Sequence, residues 1–258
     1  MSKIAITGAA GLVGTYLSAD LARDHAVVRI DLHDADVVAD VQDLAALERA
    51  FAGCETVVHL AGISSVTATW EQVHGANIAG TYNAYEAARR QGVRRVIFAS
   101  SNHAVGMHEI VNGAPLYEPG AGVLVRNDDP FRADSLYGAG KAFGEVLGKF
   151  YSERFGLQVT CVRIGSIVEP DRYDDPSLFE GAGFLDYLNA DERRKRYAST
   201  WMSQRDFARL VRAIMARDVD YAVVYGVSDN ATRFWDLEPG RAIFGFWPLD
   251  GARTTKPS

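Results

Sequence analysis

Short, continuous apolar runs alternate with stretches of helical spacing along the first two-thirds of the chain. KIAITG (3–8) is the first such run and stops at glycine, and GLVGTYLSADLARD (11–24) follows with apolar residues three and four apart. The rhythm continues with AVVRID, a shorter VVAD, a helix in LAALERAFAG that ends at glycine, TVVHLAG, a long helix from about Trp70 to Arg90, and VRRVIFASS. Further on, SLYGAGKAFGEVLGKFYSERFG reads as a helix stopped by Gly156, and LQVTCVRIGS as the strand after it. Strands apolar on both faces and joined by helices predict a doubly wound α/β fold, a parallel (Rossmann) sheet covered on both sides.

Residues 102–134 and 166–201 break this rhythm. Both follow the carboxyl ends of strands, where ligands bind in open α/β sheets, and connections of this length usually form binding loops or lids. We therefore expect one domain over residues 1–258, with substrate-binding segments mainly in 101–133 and 165–258 and a small C-terminal capping portion.

Composition narrows the picture. A net charge of −6 argues against a nucleic-acid surface, and no apolar run approaches the roughly 20 residues of a membrane span. The start of the chain, MSKIAITGAAG, lacks the build of a signal peptide, so a cytoplasmic address is expected. Cys54 and Cys161 sit in apolar surroundings and read as core thiols; the histidines show no ligand spacing, so no metal is expected. One run stands against the acidic balance: Arg193, Arg194, Lys195 and Arg196, inside NADERRKRYASTW. A solvated helix end explains such a run in general, but this one falls in the second interrupting segment, near the binding edge.

The glycines of ITGAAGLVG, at positions 8, 11 and 14, mark a strand-to-helix turn. Such a turn gives close backbone approach to a pyrophosphate, whose charge the helix N-terminus favours. Asp31 ends the second strand at the distance expected of a ribose-binding carboxylate, with no arginine directly after it, which favours NAD over NADP. Asp40 and Val41 end the third strand and are candidates to meet the adenine, with a helix N-cap as the equal alternative for Asp40. Leu60, Ala61 and Gly62 end the fourth. In LYGAGK, Tyr137 and Lys141 are one helical turn apart on one face, and an ammonium there lowers the pKa of a phenol whose ordinary value is near 10.

With TGAAGLVG, HLAG, NIAGTYNAYEAA, FASSNHAVG and YGAGK, the chain resembles the extended branch of the short-chain dehydrogenase/reductase superfamily. The resemblance implies Tyr137 as acid/base, Lys141 as its partner, Ser101 as the hydroxyl that polarises the reacting oxygen, and Asn77 as a supporting amide. It adds Leu12, Val13, Leu32, Asn77, Tyr137, Lys141 and Ile164 to the cofactor-binding positions. HLAGIS, ASSNHAVG, VRIGS, RYASTWMSQRDF and VVYGVSDN are similar to uronate dehydrogenases and related short sugar 1-dehydrogenases. That narrower resemblance implies Ser64, Ser101, Asn102, His103, Ser166 and Arg196 as sugar contacts, with Arg196 facing an acidic group at carbon 6.

The expected activity is NAD-dependent oxidation of a hexose at its anomeric carbon to the lactone. The acidic group is a carboxylate, or, given the neighbouring cations and the longer stretch before Arg196, a sulfonate or phosphate. A nucleotide-sugar epimerase or dehydratase is the first alternative and a non-catalytic NAD-sensing module the second. A homo-oligomer is expected. Arg163 reads as half of a structural ion pair, His59 as a core or cofactor-side histidine, and Trp201, Trp235 and Trp247 chiefly as packing.

Overall fold

Ile4 and Ile6 of the first apolar run face one core while Ala5, between them, faces another. That alternation, with no polar face at all, is what a strand buried on both sides requires. The computed structural model describes residues 1–180 and 185–253. Its strands are β1 (Lys3–Thr7), β2 (Ala26–Asp31), β3 (Val37–Val38), β4 (Thr56–His59), β5 (Arg95–Ser101), β6 (Gln158–Ile164) and β7 (Tyr221–Gly226). They pair in parallel in the order β3-β2-β1-β4-β5-β6-β7, the doubly wound sheet expected.

The α-helices are α1 (Leu12–Leu21), α2 (Leu44–Phe51), α3 (Trp70–Gln72), α4 (Gly80–Arg90), α5 (Met107–Asn112), α6 (Leu136–Phe155), α7 (Ala190–Thr200), α8 (Gln204–Met215) and α9 (Glu238–Phe244). Helices α1, α8 and α9 cover the face that carries Ile4, Ile6, Val58, Ile97 and Val162. Helices α2, α4 and α6 cover the other, over Val57, Val96, Phe98 and Val159, where the free thiols Cys54 and Cys161 are buried. In α8, Phe207, Leu210, Val211 and Ile214 fall on one face and are all fully buried, each contributing roughly 1.5–3 kcal/mol. A third cluster (Val105, Leu116, Tyr117, Leu185, Leu188, Phe234 and Trp235 among them) ties the two interrupting segments to the C-terminal part at the carboxyl edge of the sheet.

The structure departs from the expected element map in three places. The long helix from Trp70 to Arg90 contains a π-helical segment, Val73–Ala79, between α3 and α4. The interrupting segments hold α5, α7 and short 3₁₀ turns where no regular elements were expected. After β6 the chain adds α8, β7 and α9.

Helix α6 lies unusually close to the sheet. A Cβ at Gly144 would stand 2.3 Å from the Phe98 ring, one at Gly148 2.6 Å from the Tyr85 hydroxyl, and one at Gly138 2.2 Å from the His103 carbonyl. Each glycine costs a helix up to about 1 kcal/mol relative to alanine, so four within one helix (with Gly140) point to packing as the compensation. Among the described residues no helix is long and apolar enough to cross a membrane, and no group of His, Cys, Asp and Glu is placed to hold a metal.

Candidate active site

Strand order reverses between β2 and β4 on either side of β1, and the crevice this opens at the carboxyl edge is a cleft of about 850 Å³. Gly8, at φ 72°, opens its floor; a side chain there would stand 2.7 Å from the Ala61 amide nitrogen. Gly14 is held just as tightly, its missing Cβ 2.1 Å from the Gly8 carbonyl oxygen. Gly11 caps α1 without a side-chain hydrogen bond, whereas Asp43, Ser135, Asn189 and Ser203 cap α2, α6, α7 and α8. The first amides of α1 therefore face the cleft with their partial positive charge, as a pyrophosphate requires.

Asp31 accepts from the Ala10 amide at 2.8 Å and the Leu32 amide at 2.7 Å, which fixes its carboxylate beside the glycine turn. Leu12, Val13, Leu32, Val41, Leu60, Gly62 and Ile164 also line the cleft. So does Asp40, which accepts from the Gln42 amide at 2.9 Å; the N-cap of α2 is Asp43, so the capping alternative for Asp40 is excluded. These residues fit a dinucleotide: open helix amides for the phosphates, a carboxylate for a ribose, and apolar walls for a base.

At the opposite end stand Ser101, closing β5, and Tyr137 and Lys141 on the first two turns of α6. Ser135 starts the helix by accepting from the Gly138 amide at 3.0 Å, so the catalytic candidates sit at a rigid element's beginning. Burial pushes the Tyr137 pKa up, the nearby Ser101 hydroxyl pulls it down, and the Asp134 charge adds to the rise; the net direction is upward. This corrects the expectation of a lowered value: burial, rather than the charge one turn away, sets the net direction. The lysine ammonium stands over aromatic faces, 5.1 Å from the Phe98 centroid and 5.7 Å from that of Tyr137, and burial pushes its own pKa down to about 8.

Asn77 is buried behind the cleft wall, on the π-helical segment, and both accepts from and donates to the backbone of Ile63, at 2.8 and 3.0 Å. It shapes the Gly62–Ile63 wall rather than forming it. His59 is buried against Thr7 at 2.7 Å, and burial and then the Lys141 charge push its pKa down to about 3. Arg163 is buried in an ion pair with Glu145, Nη2–Oε2 2.9 Å; Ser100 also donates to Glu145. The pair thus sits beside the end of β5 that carries Ser101.

Ser64, Asn102, His103, Ser166 and Arg196 line the end of the cleft beyond Ser101. His103 pairs through Nδ1 with Asp134 at 2.6 Å, and Ser166 shares a hydrogen bond with Thr200 at 2.8 Å. Arg196 carries a carboxylate from its own chain: Nε meets Glu109 Oε2 at 2.6 Å, both residues buried. Burial opposes the arginine's charge most strongly, but Glu109 together with Tyr117 and Tyr187 outweighs it and raises the Arg196 pKa. Of the basic run only Arg196 lines the cleft; Arg193 pairs with Asp186, Arg194 with Asp191, and Lys195 with Glu118 and Asp191 on the flank of α7.

Several residues of this arrangement are not among the sequence-derived candidates. Glu109 and Tyr117 build the Arg196 surround and Asp134 orients His103, while Gln42, Glu71 and Tyr197 line the cleft. Only Asp134 carried a local signal, standing just before the N-cap serine of α6 in the sequence.

Residues 4–220 match the NAD dependent epimerase/dehydratase family. The chain is 35% identical over 246 residues to a uronate dehydrogenase of Pseudomonas syringae pv. tomato, covering 91% of this chain and 78% of that protein. It is 36% identical over 262 residues to the L-arabinose 1-dehydrogenase (NAD(P)(+)) of Haloferax volcanii, covering 98% and 99%. A crystal structure of a uronate dehydrogenase variant from Agrobacterium tumefaciens complexed with NAD superposes with a TM-score of 0.78 at 34% identity, over 98% of this chain and 86% of that one.

Proposed function

The chain belongs to the NAD dependent epimerase/dehydratase family and is an NAD-dependent sugar dehydrogenase; from that premise we propose that it oxidises the anomeric carbon of a cyclic aldose to the lactone. The observation that carries this reading is one continuous cleft running from the open amides of α1 and Asp31 to Ser101, Tyr137 and Lys141. When bound, NAD supplies the acceptor for the hydride leaving carbon 1. Gly8, Gly11, Gly14 and Asp31 would hold its adenosine and phosphates, and Lys141 its second ribose.

Tyr137 takes the proton from the anomeric hydroxyl. Ser101, whose Oγ donates to Asn102 Oδ1 at 3.2 Å and accepts from the His103 amide at 3.2 Å, holds the reacting oxygen. Lys141 adds a cation that favours the phenolate form Tyr137 needs before it can take this proton, and its burial leaves little water to screen that charge. His103, whose Nδ1 pairs with Asp134, is held at the cleft wall as a sugar contact. Binding at the far end aligns carbon 1 with these groups.

The residue type of Arg196 supports an acidic group at carbon 6, whether carboxylate, sulfonate or phosphate. A second reading, an uncharged far end, is favoured by the Glu109 carboxylate already on that guanidinium. We also propose that the enzyme acts as a homo-oligomer.

The test is NADH formation with NAD and a panel of aldoses and their uronates. Net NADH is expected with at least one, and the Tyr137→Phe variant should bind NAD unchanged while losing at least ~10²-fold in rate. Cofactor that stays oxidised while the sugar changes configuration would replace this reading with epimerisation.

A further inference from the structure

Glu109 takes no part in the reaction as derived above, yet it is a fully satisfied carboxylate buried behind Arg196, which lines the cleft. It sits on α5 in the segment after β5, 87 residues from Arg196 in sequence. Its Oε2 accepts from Arg196 Nε at 2.6 Å and from the Tyr117 hydroxyl at 3.1 Å. Its Oε1 accepts from Asn102 Nδ2 at 3.0 Å and from Arg196 Nη2 at 3.3 Å. Four hydrogen bonds saturate a carboxylate's acceptor capacity, so Glu109 cannot leave Arg196 without stranding buried donors.

The Nε–Nη2 edge it occupies is one of the forked edges with which an arginine reads a carboxylate. A sugar carboxylate arriving here therefore meets a cation whose charge is already balanced, and a second anion close by in a buried setting. Like charges in such a place repel strongly because little water screens them. A hydroxymethyl group meets no such penalty. The neighbouring cations do not reverse the balance: Arg194 and Lys195 are paired with Asp191 and Glu118 on the outer flank of α7.

We propose that Glu109 is the specificity-determining residue at the far end of the cleft: by balancing Arg196 from within, it makes the site select an uncharged aldose over the same aldose carrying a carboxylate at carbon 6. This rests on the anomeric oxidation proposed above and names its substrate class. In this role Glu109 is a positioning and charge-setting residue.

Galactose and galacturonate differ only at carbon 6, and L-arabinose removes that carbon. The wild-type enzyme should favour galactose over galacturonate in kcat/KM by at least about tenfold, the equivalent of ~1.4 kcal/mol. Glu109→Gln should move that ratio at least about tenfold toward galacturonate, mainly through KM, and Glu109→Asp should keep the wild-type preference. Wild-type preference for galacturonate, or an unchanged ratio in a folded Glu109→Gln variant, overturns the proposal. The wild-type arm decides it even where that variant does not fold.

If none of the sugars yields NADH, anomeric oxidation fails as the reaction, and the charge proposal is then read from calorimetric binding of galactose and galacturonate to NADH-saturated protein. Tighter galactose binding by the wild type supports it. Equal binding, tighter galacturonate binding or no binding of either overturns it.

Discussion

Lys141 is buried to 5% exposure, and Lys141→Met isolates the energetic cost of keeping it there. A fall in its pKa from 10.5 to about 8 corresponds to roughly 3 kcal/mol, at ~1.4 kcal/mol for each tenfold change in proton affinity. The sign follows from proton counting. Below pH 8 the lysine is charged whether the chain is folded or not, and the folded state bears the full penalty. Between pH 8 and about 10.5 the unfolded chain keeps its proton while the folded chain releases it, so stability rises with pH. Urea unfolding of both proteins at pH 7 and pH 10 reads this directly. The stability of Lys141→Met relative to wild type should shrink by roughly 2 kcal/mol between those pH values, because only the wild type recovers its penalty. The variant should remain folded and lose activity, as expected where a site retains a group that costs stability. A stability difference that does not change with pH would refute the argument and mean that the ammonium is solvated in the native protein.

Two further outcomes follow from the same structure. Because burial raises the Tyr137 pKa, kcat/KM for sugar oxidation should still be climbing between pH 6 and pH 8, where Lys141 keeps its charge; a plateau by pH 7 in a pH–rate profile would contradict an elevated phenol. Arg163→Met leaves the Glu145 carboxylate buried without its main partner and should cost about 3–5 kcal/mol in denaturant unfolding, whereas adding Glu145→Leu should recover most of the loss.

The cofactor half of the cleft was legible because its signals are local. A glycine turn between an apolar run and a helical run, a carboxylate at the end of the next strand, and a tyrosine and lysine one turn apart can all be read within short windows. The far end was not, because its meaning lies in pairs. Arg196 looks like a free cation in sequence, and nothing near it announces Glu109, brought from 87 residues away by segments without regular period. The direction of the Tyr137 shift was hidden for a related reason: spacing gives the distance to Lys141 along the helix, but burial decides the sign. Helix α8 was within reach, since Phe207, Leu210, Val211 and Ile214 already fall at helical intervals. The π-helical turn at Val73–Ala79, which carries Asn77 toward the Ile63 backbone, has no comparable pattern.

The bare side of α6 has a mechanical consequence. Tyr137 and Lys141 ride on a rod whose seat is set by bare backbone: Gly138 against the His103 carbonyl, Gly144 against Phe98 of β5, and Gly148 against Tyr85 of α4 and Val159 of β6. One added methyl group at Gly144 would press on the Phe98 ring and one at Gly138 on the His103 carbonyl, so either displaces the start of the rod and carries Tyr137 and Lys141 with it. Sequence drift on this buried side therefore can silence the enzyme while its recognisable motif stays intact.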